Sequence, residues 1–99
     1  MISLKHRGRL YPATSDGLAA ALNLDLTGLP PSEHAALDEF ASGQRRPHEV
    51  SDGCITPLGG GNYRIALPQE TLVVNRDVRV APQGRIYVSV VRASDPTVL

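Results

Sequence analysis

Tryptophan is absent from this chain, and cysteine, methionine and phenylalanine occur once each. With Cys54 alone, no intrachain disulfide can close and no zinc site with several thiolates can be built. That usage fits a reducing compartment. Long apolar runs are missing too. The longest, residues 18–22, falls far short of the roughly 20 residues a spanning helix needs. Met1-Ile2-Ser3-Leu4-Lys5-His6-Arg7 carries charge where a signal peptide places its apolar core. A cytoplasmic protein with no membrane partner is therefore expected. Net charge is also lacking, since ten basic side chains balance ten acidic ones.

What is present is a folded composition, with 41% apolar and 20% charged residues. Ninety-nine residues suit one domain, 1–99, whose tail over 93–99 is expected to fray. The zero total hides a segregation of sign: residues 1–11 carry +3, residues 12–52 carry −5 and residues 53–99 carry +2. If the middle is helical and the flanks are strands, the fold has an acidic layer and a basic one, a distribution that can steer a charged partner.

Period-two alternation over residues 2–10 predicts a strand with Ile2, Leu4, His6, Gly8 and Leu10 on one face. Ser3, Lys5, Arg7 and Arg9 fall on the other. Thr14-Ser15-Asp16 supplies N-cap oxygens for a short helix over 17–23. A second helix opens at Pro31 or Ser32 and stops before Gly43, with Ala36, Leu37, Phe40 and Ala41 as its apolar stripe. After a polar connection over 44–53, the period becomes two. Strands are expected at 54–57 and 62–67 around a glycine-rich tip, then at 71–74, 78–80 and 85–91. Asn75-Arg76-Asp77 reads as a tight turn, and Ala81-Pro82-Gln83-Gly84 as a β-turn. The expected fold is α+β: two helices packed on one face of an antiparallel five- or six-stranded meander sheet, in the order β-α-α-β-β-β-β-β.

Few residues point to chemistry. Ser51-Asp52-Gly53-Cys54-Ile55 resembles the Ser-x-Gly-Cys-Ile core of the L,D-transpeptidase family. The likeness covers five residues and implies a thiolate nucleophile at Cys54 paired with a histidine, for which His34 and His48 are the upstream candidates. Against it stands an ordinary buried strand cysteine after a Ser-Asp-Gly turn. Leu18-Ala19-Ala20-Ala21-Leu22-Asn23 and Phe40-Ala41-Ser42-Gly43-Gln44-Arg45-Arg46-Pro47 resemble two pieces of a phage-repressor helix-turn-helix domain. Here Pro30-Pro31 interrupts a longer connector, and Glu33, Asp38 and Glu39 would repel phosphate. His6, His34 and His48 lack metal-ligand spacing, so neither metal nor cofactor is expected.

The basic residues remain. Lys5, Arg7 and Arg9 at i, i+2 and i+4 would line one strand face, extended by Arg79, Arg85 and Arg92 if their strands lie nearby. Nine arginines against one lysine suit bidentate recognition of carboxylate or phosphate. Expected partner-binding residues are Lys5, Arg7, Arg9, Arg79 and Arg85. The expected function is a small non-enzymatic binding or regulatory module that engages a protein partner through a charged sheet face or strand edge, or forms a homodimer through that edge. Its size matches that of phage and mobile-element inhibitors. The alternatives are a nucleic-acid binder using the basic strand face, with Tyr11 or Tyr87 stacking on a base, and a cysteine-dependent enzyme at Cys54.

Overall fold

A computed structural model describes residues 2–44 and 54–93. The polar connection over 45–53, with His48, and the tail over 94–99 lie outside the described residues. The elements are β1 (Ile2–His6), β2 (Arg9–Pro12), α1 (Ser15–Leu22), α2 (Pro31–Ala41), β3 (Ile55–Gly59), β4 (Asn62–Ala66), β5 (Thr71–Val80) and β6 (Ile86–Ala93). One open six-stranded sheet runs in the order β2-β1-β6-β5-β4-β3. Every neighbouring pair is antiparallel except β1 with β6. This is the α+β fold expected, with both helices on one face.

Two strand boundaries differ from expectation, and each has a physical reason. Residues 2–10 are not one strand. Arg7 (φ 50°) and Gly8 (φ 80°) both adopt the left-handed region, which makes the two-residue turn of a right-twisted hairpin. His6 then pairs with Arg9, and Lys5 with Leu10. The turn signal was muted because arginine stands where asparagine or aspartate usually does. Nor is there a turn at 75–77, because β5 runs unbroken through it. Its polar side chains find cross-strand partners instead: the Asn75 amide donates to Asn62 Oδ1 at 3.0 Å, and Arg76 turns inward. The meander is also incomplete, since the β1–β2 hairpin adds to β6 in parallel and is reached only across the helices.

Both helices form as their caps dictate. The Gly17 N–H donates to Thr14 Oγ1 at 3.1 Å, and Asn23 closes α1 in the left-handed conformation. Gly17 is obligatory, because a Cβ there would lie 1.7 Å from the Pro12 carbonyl oxygen where the helix leaves β2. In α2, Pro31 occupies the first turn and Gly43 (φ 75°) follows the end. Leu18, Leu22, Leu37 and Phe40 from the helices meet Leu4, Ile65, Leu72, Val74, Val88 and Val90 from the sheet in one buried cluster. The expected inward set Ile86, Val88 and Val90 does share this face, as the pairing of Val88 with Leu4 requires. Phe40 is buried, as the stripe implied.

The helix ends are tied down by charge from outside each helix. Neither helix has a basic residue in its last turn. Instead Arg76 of β5 donates to the Phe40 carbonyl at 3.0 Å, and Arg92 of β6 to the Leu22 carbonyl at 2.9 Å. These carbonyls carry the partial negative charge of the helix C-termini. At the other end of α1, the Ser15 N–H donates to Asp38 Oδ1 of α2 at 2.6 Å. Arg76 also lies 4.8 Å from the Phe40 and Tyr63 ring centroids and donates to the Tyr63 hydroxyl.

Two stability outcomes follow. Arg76→Ala takes the charged donor from the Phe40 carbonyl, which keeps only the Gly43 N–H at 3.2 Å, removes the donor to the Tyr63 hydroxyl and strips packing from both rings; the loss is expected to be about 2–4 kcal/mol. Arg7→Asn relieves a non-glycine residue held at positive φ and is expected to stabilise by roughly 0.5–1 kcal/mol. Urea unfolding followed by far-UV circular dichroism measures both. A neutral Arg76→Ala, or a destabilising Arg7→Asn, would contradict these assignments.

Candidate functional site

The helices cover one face of the sheet, and pleat alternation fixes what faces the other way. Lys5 pairs with Ser89, Tyr87 with Arg79, and Asp77 with Ser89, so these side chains share the face opposite the core. The same register adds Leu10 beside Lys5 and Asn75 beside Val91. The helices lie on the other side, and the exposure of this face is uneven: Val73, toward the β4 side, is buried, whereas Lys5, Leu10, Asp77, Arg79 and Val91 are exposed. Its strands carry Lys5, Arg64 and Arg79 against one acid, Asp77.

A row crosses three adjacent strands at its centre. The Lys5 ammonium lies 5.8 Å from the Tyr87 ring centroid. On the far side of Tyr87, Arg79 Nε donates to Asp77 Oδ2 at 2.7 Å, and the Arg79 side chain remains 78% exposed. The hydrogen bond to Asp77 raises the already high pKa of Arg79, so its charge is permanent. Lys5 is level with Asp77 across β6, so the Lys5 and Arg79 backbones are separated by two strand spacings of about 4.8 Å and by two residues along the strand, about 12 Å in all. Leu10 (57% exposed) and Val91 (45%) flank the row with apolar surface.

The expected basic residues are thus divided. Lys5 and Arg79 come together around Tyr87, and exposed Arg85 stands at the mouth of the β5–β6 hairpin, where its carbonyl accepts the Ala81 N–H. Arg7 and Arg9 do not join them. Arg7 sits in the β1–β2 turn, and Arg9, paired with His6, belongs to the face that carries the helices. The single cationic strand face of Lys5, Arg7 and Arg9 is therefore corrected to a hairpin that splits them. Arg92 is engaged with Leu22 and with Glu70 at 3.1 Å.

No family model matches this chain, and no curated protein or solved structure does either. Its own geometry must carry the reading. Cys54 is buried (6% exposed) at the head of β3 within the core cluster, which gives no support to an accessible thiolate. His34 is half-buried in α2, and His6 Nδ1 lies 2.8 Å from the Val90 carbonyl oxygen. Among the described residues no group of three or more His, Cys, Asp or Glu side chains is placed to hold a metal ion. No helix there is long and apolar enough to cross a membrane. A shallow depression of about 280 Å³ is lined by Thr71, Leu72, Val73, Arg92 and Ala93, which offer one hydroxyl and one guanidinium.

Sequence reasoning missed Arg76 and the continuity of β5 through 75–77, which joins the strands expected at 71–74 and 78–80. Both were hidden by the same three residues, since Asn-Arg-Asp has turn composition. The available signal was the alternation of Val74, Arg76, Val78 and Val80, which runs straight through it.

Proposed function

We propose that this domain is a non-enzymatic binding module that docks an acidic surface of a protein partner on the open face of its sheet. The observation that carries this reading is the Lys5–Tyr87–Arg79 row across β1, β6 and β5, set on a face the helices leave bare. Tyrosine and arginine are the side chains enriched at the energetic centres of protein interfaces. Exposed Leu10 and Val91 beside them supply apolar contact area, and the two cations favour carboxylates across the interface.

The aromatic residue on a central strand also motivates a single-stranded nucleic-acid reading, in which a base stacks on Tyr87. Two features favour protein over nucleic acid. Lys5 already occupies one side of the ring, and Asp77 offsets Arg79. With Arg7 and Arg9 directed elsewhere, the row lacks the continuous cationic track that phosphates select.

Both side chains are exposed, so charge reversal tests the face without disturbing the core. The double substitution Lys5→Glu, Arg79→Glu is expected to weaken a cross-linked, co-purifying partner by about tenfold or more while leaving the circular dichroism spectrum unchanged. Mobility of single-stranded RNA and DNA at low salt should not change on adding the protein. Retention of the partner by the double variant, or a salt-sensitive oligonucleotide shift, defeats the proposal.

A further inference from the structure

A second surface arises from backbone register, independently of the row around Tyr87. β5 outruns its neighbour. Its ladder with β4 ends at Asn75, and one further bond, from the Arg76 N–H to the Gly61 carbonyl, closes that side at 2.8 Å. From 77 to 80 the strand pairs with β6 alone among the described residues. Backbone groups alternate in direction along an antiparallel strand. Because the Arg76 N–H points toward β4, those of Val78 and Val80 point the same way, out of the sheet. The Ala81 N–H, odd in this series, bonds instead to the Arg85 carbonyl on the β6 side.

The side chains around this edge are also unusual. Val80 is 70% exposed and Val78 37%, with Ile86 and Ile2 completing an apolar shelf on the helix-bearing face beyond the helices. The two lateral edges of the sheet are blunted by proline, Pro12 ending β2 and Pro57 within β3. Residues 77–80 carry no proline. Arg79, on the opposite face between the two valines, has its guanidinium in solvent.

We infer that residues 77–80 of β5 accept an extended segment of a partner protein as an added antiparallel strand, and that this segment alternates apolar and acidic side chains. The backbone N–H and C=O groups of Val78 and Val80 supply the ladder. Apolar side chains of the segment cover Val78 and Val80, and an acidic one between them meets Arg79 and, farther along, Arg85.

A second copy of this chain fits the edge poorly in each two-fold antiparallel register. Centred on Val78, the pairing drives Val80 of the second copy into the place of Gly61, which holds the Arg76 N–H. Centred on Arg79, it sets two arginines directly opposite each other, a like-charge pair. Centred on Val80, it brings Pro82 opposite Val78, where a donor is needed.

The probe is a short fluorophore-labelled peptide alternating valine and glutamate, titrated into the full chain by anisotropy. It is expected to bind at least about tenfold more tightly than the same peptide with lysine for glutamate. Binding should shift the Val78 and Val80 amide resonances. Val80→Pro removes an outward donor and should abolish binding, whereas Arg79→Glu should reverse the preference toward the lysine peptide. Lys5→Glu, which tests the open face, should leave peptide affinity within about twofold, so the two readings fail separately. Equal binding of both peptides, no binding, or a dimer in sedimentation that Val80→Pro dissociates overturns the inference.

Discussion

The fold hinges on positive charge delivered from the sheet to the ends of the helices. Short helices of 8 and 11 residues have little stability of their own. Each ends in carbonyls that no residue of its own last turn neutralises. Arg76 and Arg92 reach those carbonyls from β5 and β6, on the sheet face that bears the core. A charged donor on a helix-end carbonyl contributes about 1.5–3 kcal/mol, more than the dipole alone. Asp38 completes the arrangement by bonding the first N–H of α1 from the neighbouring helix. The two helices are thereby oriented on the sheet by electrostatics as well as by the leucines between them.

This explains why the segregation of charge along the chain is so marked. An acid-rich middle flanked by arginine-rich ends invites the picture of two charged surfaces. Part of that charge is internal cohesion instead. Arg76, packed against the edge-to-face pair Phe40 and Tyr63, works as a packing residue with a cationic tip. The basic side chains left for recognition are those whose pleat position turns them away from the helices. Position in the pleat, and not position in the chain, decides which arginines are available. Arg76 and Arg79 lie three residues apart on one strand and therefore serve opposite faces.

Much of this was readable before the structure. Thr14 and Asn23 bracket α1, Pro31 and Gly43 bracket α2, and the Ala81–Gly84 turn closes with the Gly84 N–H on the Ala81 carbonyl. Local chemistry determines all of these. What escaped is decided at longer range. Arg7 takes a positive φ because β1 and β2 must pair, a tertiary demand no propensity for arginine reveals. Asn75 and Arg76 avoid a turn because Asn62 and Tyr63 of β4 and the Phe40 carbonyl of α2 bond them, while Asp77 pairs with Arg79 farther along the same strand. Of the expected binding residues, Lys5 keeps its face because β1 is the first half of the expected 2–10 strand, and Arg79 and Arg85 lie on or beside strands whose alternation was legible. Arg7 and Arg9 fell with the single misread strand.

The open face and the overhanging edge meet at Arg79. Its backbone belongs to the strand whose neighbours, Val78 and Val80, aim their N–H and C=O groups outward, and its side chain belongs to the row with Tyr87 and Lys5. A strand laid along residues 77–80 would sit about 4.8 Å beyond β5 and so extend that row by one position. Its acidic side chain would contact Arg79 in the plane where Lys5 and Tyr87 already stand. Asp77 would keep its bond to Arg79 Nε, since a guanidinium has donors enough to bond both carboxylates. The intrachain pair at 2.7 Å holds the Arg79 guanidinium on the open face, on the side where the carboxylate of an added strand would meet it.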